Sequence, residues 1–99
     1  MMPNIVGIDK DHITLEEATA LRDTILQQEH CQVLLWKTQH GFHLELVYAE
    51  SVSKKRNFML REKYHDCPER MRISRLRGDP YDVLFSIKDG HWRELIHDE

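Results

Sequence analysis

The chain has 99 residues, of which 40% are hydrophobic and 31% charged, with a formal net charge of −3. That length suits one domain burying roughly two-thirds of its unfolded surface without metal or disulfide staples, and an ordinary apolar fraction with charges of mixed sign argues against disorder. No apolar run approaches the roughly 20 residues of a membrane helix; two widely spaced cysteines, Cys31 and Cys67, and no signal-like start read as idle thiols of a reducing, cytoplasmic compartment.

The first element is a short β-branched strand, Asn4 to Asp9, preceded by Pro3 and followed by a polar Lys10-Asp11-His12. Thr14-Leu15-Glu16-Glu17 then matches a capping box, in which a hydroxyl and a carboxylate each satisfy one backbone donor at a helix start. Leu15, Ala18, Leu21 and Ile25 follow at helical spacing, so the helix is expected to run to about His30. Gln32 to Lys37 and Phe42 to Tyr48 are strand-like runs joined by Thr38-Gln39-His40-Gly41, which suits a hairpin. In the second run Phe42, Leu44, Leu46 and Tyr48 alternate with His43 and Glu45, so one set faces a core and the other faces away.

Ser51 or Ser53 is placed to cap a second helix that runs to about His65, with Val52, Phe58, Met59, Leu60 and Tyr64 as its apolar stripe. Asp66-Cys67-Pro68 breaks it, and the Arg-rich stretch from Pro68 to Pro80 fits an extended piece, a short helical turn or a loop. Val83 to Lys88 reads as a fourth strand, with Asp89-Gly90 as a two-residue turn into an edge strand, His91 to Ile96. The resulting order, βαββαβ with an added β, predicts an α+β, ferredoxin-like split βαβ sandwich. In it the first and third strands are antiparallel neighbours and both helices cover one face.

On the face away from the helices this topology places Gly7, Asp9 and Asp11 from the first strand beside His43 and Glu45 from the third. Two carboxylates at i and i+2 next to an imidazole suit a hard divalent cation such as Mg2+ or Mn2+ bound at Asp9 and Asp11, with His43 available to a phosphate. The plainer alternative is that Asp9 and Asp11 form a polar turn ahead of a capped helix and that His43 is one residue of a solvated strand. Charge is uneven along the chain as well. Lys54 to Arg77 carries nine basic residues against three acidic ones, which makes Lys54, Lys55, Arg56, Arg61, Arg70, Arg72, Arg75 and Arg77 candidates for contacts with nucleic-acid phosphates, or simply a solvated face.

These residues carry a family resemblance. Ile5-Val6-Gly7-Ile8-Asp9-Lys10-Asp11 is similar to the apolar run and DxD motif of archaeo-eukaryotic primases, Thr38 to His43 resembles their glycine-x-histidine motif, and Arg72-Ile73-Ser74-Arg75-Leu76 resembles a basic stretch that follows. The palm of that family is an RRM-like βαββαβ unit. The resemblance implies metal binding by Asp9 and Asp11, nucleotide-phosphate contact by His43, and catalytic roles for all three. Asp82 is the nearest counterpart of the acidic residue that completes the family's metal site. Asp66-Cys67-Pro68-Glu69-Arg70 is also similar to a DPxR segment of short archaeal plasmid and virus proteins. With no room for the elements that surround a primase palm, the expectation is a minimal, replication-associated nucleic-acid-binding domain with weak or no nucleotidyl transfer.

A non-enzymatic module that forms a homodimer through its open sheet face or edge strand is the competing expectation. Two-ligand pairs, His40-x-x-His43 and His65-x-Cys67, fall short of the four ligands of a structural zinc site. A Gly-rich phosphate loop, a CxxC pair and a G-x-S-x-G elbow are all absent from the sequence, which sets aside Walker-type and acyl-transfer chemistry.

Overall fold

A computed structural model describes residues 3–81, 87–88 and 91–98. In chain order the elements are β1 (Ile5–Asp11), α1 (Leu15–Gln28), β2 (Gln32–Lys37), β3 (Gly41–Val47), α2 (Lys54–Lys63), α3 (Pro68–Arg77), β4 (Ile87–Lys88), β5 (His91–Trp92) and β6 (Glu94–Asp98). The fold is α+β, with a four-stranded antiparallel sheet in the order β1-β3-β2-β6, a small β4-β5 pair, and three helices. Among the described residues no helix is long and apolar enough to cross a membrane.

The capping box forms as expected: Thr14 Oγ1 accepts from the Glu17 amide and Glu17 Oε1 accepts from the Thr14 amide, each at 3.1 Å. α1 lays Ala18 and Ile25 on the sheet. The hairpin between β2 and β3 closes through Thr38 N–H to Gly41 O at 2.9 Å, while Gly41 N–H donates to Thr38 Oγ1 at 3.1 Å. Gly41 pairs with Asp11 of β1. A Cβ on Gly41 would collide with the Lys10 carbonyl oxygen and lie 2.7 Å from Asp11 Cα, so only glycine lets β1 approach the start of β3 this closely.

Period-two alternation sorts the strands into two faces. Val6 and Ile8, Val33 and Leu35, and Leu44 and Leu46 are wholly buried against α1 and α2, which add Ile25, Leu60 and Tyr64 to the same cluster. Each such side chain contributes about 1.5–3 kcal/mol by leaving water. The opposite face carries Gly7, Asp9, Leu34, Trp36, His43 and Glu45.

Three features differ from the sequence expectation. The stretch after Pro68 is a ten-residue helix, α3, with proline in its first turn and Gly78 at φ 67° closing its end. Proline suits that first position because its missing N–H has no helical partner there anyway. Secondly, α2 buries Asn57 and Arg61 beside the expected Leu60, so its inward side is partly polar, and Met59 of the expected stripe is 57% exposed, whereas Val52 and Tyr64 are buried as expected.

The last strand is the third difference. In a ferredoxin-like sheet the fourth strand, expected at Val83 to Lys88, would lie beside β1; in the described sheet none does, and β6, which overlaps the added edge strand expected at His91 to Ile96, pairs with β2, with a bulge opposite Leu35 and Trp36. The outer edge of β1 is already occupied. Asp9 N–H donates to Asp66 Oδ1 at 2.7 Å, Cys67 N–H donates to Asp9 O at 3.0 Å, and Arg70 donates to Gly7 O at 2.7 Å. The corner between α2 and α3 thus fills the place of a neighbouring strand. The expected strand from Val83 to Lys88 is seen at Ile87–Lys88, which pairs with His91–Trp92; positions 83–86, Asp82 and the Asp89-Gly90 turn lie outside the described residues.

Candidate functional site

β1 and β3 bring the two sequence motifs together. Asp9 and His43 are direct partners in the antiparallel register, and His43 Nε2 lies 3.3 Å from Asp9 Oδ1. His43 is 4% exposed. The contact is close but poorly aligned for a hydrogen bond, since Asp9 Oδ1 and His43 Nδ1 are both buried atoms without a hydrogen-bond partner. Such atoms forfeit their hydration and regain nothing from the protein, at a cost of about 1–3 kcal/mol each.

Asp11 stands two residues further along the same face of β1. Asp9, Asp11 and Cys67 form a group in which one ligand atom of each lies within 4.8 Å of the other two, and all three residues are partly buried. Glu45 does not join them. Its Oε1 accepts from Trp36 Nε1 at 2.7 Å and lies 3.3 Å from Arg93, whose guanidinium stacks 3.9 Å from the centre of the Trp36 ring. Trp36 therefore shares the open face with the site but has one side of its ring covered. Phe42 is in the core.

Cys67 is the residue that sequence reasoning missed. Read as an idle thiol or as half of a two-ligand pair with His65, 58 positions from Asp9, it is carried to the site by the turn that ends α2. That turn is a Schellman motif: His65 N–H bonds Glu62 O and Asp66 N–H bonds Arg61 O. His65 takes the left-handed conformation, φ 55°, that glycine usually supplies. The next two residues turn into β1, Asp66 with its carboxylate and Cys67 with its amide. The signal available in the sequence was the Asp-Cys-Pro run, a helix start whose flanking side chains must face some other element.

Asp66 is itself the centre of a buried network. Its Oδ2 accepts from Arg61 Nε at 2.8 Å and from Arg70 Nη1 at 2.7 Å, and Arg61 also donates to Ser74 Oγ and Pro80 O. Arg61 is fully buried. This corrects its assignment to a phosphate-contacting surface, because its guanidinium is committed inside the fold. Arg70, with a side chain 14% exposed, is held by Asp66 and the Gly7 carbonyl and leaves that surface for the same reason.

The other basic candidates lie outside. Lys54, Lys55 and Arg56 occupy the first turn of α2, which holds no acidic residue, and Arg56 lies over the Tyr48 ring at 4.6 Å. Arg72 pairs with Glu69 and Arg75 with Glu62, both at the surface, while Arg77 is exposed at the end of α3. Between α2 and α3 runs a groove of about 630 Å³ lined by Met71, Leu76, Arg72 and Arg75 among others.

A separate polar cluster joins the end of α1 to α2. Glu29 Oε2 accepts from Tyr64 at 2.7 Å and from Lys63 at 2.9 Å. Burial pushes the Glu29 carboxyl up, but these hydrogen bonds outweigh it and hold the group below its ordinary value. Burial raises the Tyr48 and Tyr64 phenols and the Cys31 thiol. Every one of these groups is engaged with its neighbours, so the cluster reads as a brace.

No known protein family, no curated protein and no solved structure matches the chain.

Proposed function

We propose that this chain is a small nucleic-acid-binding, replication-associated domain with a palm-like α+β unit resembling that of archaeo-eukaryotic primases, and with weak or no catalysis. The observation that carries the reading is the pairing of Asp9 with His43 across β1 and β3, with Asp11 on the same face. A carboxylate pair at the mouth of a β-sheet holds a divalent cation whose open positions accept phosphate oxygens, while His43, buried behind Asp9, sits against that carboxylate. Three cations in the first turn of α2 add to it. The helix dipole disfavours positive charge there, so Lys54, Lys55 and Arg56 are poorly explained by helix stability and well explained by an anionic partner.

The test is a salt-titrated binding assay against single- and double-stranded DNA and RNA, with and without Mg2+ or Mn2+. Binding is expected to weaken steeply with salt, with log K falling by about 0.7–0.9 per phosphate contact for each decade of salt. The double variant Lys54→Ala/Lys55→Ala should weaken binding to all sequences alike and flatten the slope, and Asp9→Asn should abolish the response to divalent cations. Absence of binding at low salt with every nucleic acid would sink the proposal.

One observation favours a second reading, a homodimeric module. β6 ends the described sheet, and Leu95 on it is 48% exposed. A dimer by light scattering, combined with no affinity for nucleic acid, would select this reading over the first.

A further inference from the structure

We infer that Cys67 completes the site with Asp9 and Asp11, making a mixed carboxylate and thiolate centre for a borderline-soft divalent cation of the zinc class, Zn2+ or Co2+, in preference to Mg2+. The inference rests on the reading of Asp9 and Asp11 as cation ligands and specifies which cation they take.

The three ligand atoms lie within 4.8 Å of one another. Two carboxylate oxygens and a sulfur around a four-coordinate zinc sit about 3.3–3.5 Å apart, given Zn–O near 2.0 Å and Zn–S near 2.3 Å. Rotations about the side-chain bonds cover the difference. The backbone supplies the rest of the order: the Cys67 amide donates to the Asp9 carbonyl at 3.0 Å, and the Asp66 carboxylate holds the Asp9 amide. Cys67 and Asp9 are therefore tied together by the fold, whatever their side chains bind.

A second observation points to a ligand. His43, with a side chain 6% exposed, directs Nε2 to within 3.3 Å of Asp9 Oδ1, and that oxygen is buried with no hydrogen-bond donor. Such a pair fits a ligand carboxylate steadied from behind by an imidazole. The deficit at Asp9 Oδ1 is of the kind a cation removes.

The donor set then decides the metal. Mg2+ requires near-octahedral oxygen ligands and keeps most of its waters, and a thiolate is a poor ligand for it. Zinc accepts sulfur and oxygen together, and three protein ligands leave its fourth position open, as in catalytic zinc sites. A phosphate oxygen of the bound nucleic acid is the ligand that this open position would take.

The test uses the full chain, stripped of metal by a chelator and titrated with Co2+, Zn2+ and Mg2+ in turn. Expected are one Co2+ per chain with a thiolate-to-cobalt charge-transfer absorption in the near ultraviolet, displacement by Zn2+, and Zn2+ affinity at least roughly 100-fold above that for Mg2+. C67S should lose the absorption band and at least about 10-fold in Zn2+ affinity. Serine is a favoured residue at a helix N-cap, so this variant should fold, and a thermal melt verifies it. D11N should also weaken Zn2+, whereas Cys31→Ser should bind it as the parent does. Unchanged Zn2+ binding in C67S, equal affinities for Zn2+ and Mg2+, or no Zn2+ binding would each overturn the inference. Mg2+ binding lost in Asp9→Asn but unaffected by C67S would overturn it while leaving the cation reading of Asp9 and Asp11 intact; a working zinc site with no affinity for nucleic acid would uphold it and overturn the nucleic-acid reading.

Discussion

Two carboxylates on either side of the β1 edge are treated in opposite ways. Asp66 is fully buried and saturated, with the Asp9 amide on one oxygen and two arginines on the other. Asp9 is nearly as enclosed, yet its Oδ1 has no hydrogen-bond donor and faces only a misaligned imidazole at 3.3 Å. A protein that can bring three donors to one carboxylate and none to an oxygen of its neighbour has a structural acid beside one left open. Buried ion pairs are held in place by their mutual dependence, whereas an unsatisfied buried oxygen lowers stability until something binds it.

The contrast can be broken by substitution, and the largest effect belongs to the saturated acid. Asp66→Ala strands Arg61 in the interior and should cost about 3–5 kcal/mol in a denaturant melt; a cost near that of a surface change would mean that the network is not buried in solution. Asp9→Asn, measured without divalent cations, should change stability by no more than about 1 kcal/mol, while removing cation binding. A loss comparable to that of Asp66→Ala would place Asp9 in the same structural class and end the distinction.

A smaller effect is expected at Glu29, a partly buried acid at the end of α1. Its folded pKa is depressed, so its contribution is in full above the unfolded value of about 4.3 and fades as pH falls through the lower folded value. Below about pH 4.3 the parent should therefore lose stability more steeply than Glu29→Gln, which is read by melts at a series of pH values. Parallel curves would show that the hydrogen bonds from Tyr64 and Lys63 do not form. The least effect belongs to the surface pair Arg72 and Glu69: Arg72→Ala should leave the denaturant midpoint unchanged, since exposed ion pairs are screened and cost side-chain entropy. If Arg72 also contacts phosphate, the same variant still weakens nucleic-acid binding.

Much of this contrast was hidden in the sequence for identifiable reasons. The capping box at Thr14, the alternation of Phe42 to Tyr48 and the hairpin ending at Gly41 are local patterns, and each predicted its element. The meeting of Asp9 with His43 was legible too, because a crossover from the first strand through a helix leaves room between β1 and β2 for one returning strand. α3 was not legible as a helix. Only Met71 and Ser74 on it are buried, so it has no apolar stripe to announce it. Arg61 was read as surface because charge is normally exposed, and only the positions of Asp66, Ser74 and Pro80 in space make its burial affordable. The filling of the β1 edge by groups from the α2–α3 corner was equally hidden, and Cys67 reached the site by that same route.

That filled edge also limits how copies of the chain can join. Strand addition needs a row of free amides and carbonyls, and on β1 Gly7 O, Asp9 N and Asp9 O are taken by Arg70, Asp66 and Cys67. Only the β6 end of the described sheet is left to extend. Two molecules meeting there pair like with like and close on themselves. An open-ended fibre needs two different edges on each molecule, and this sheet has given one of them away.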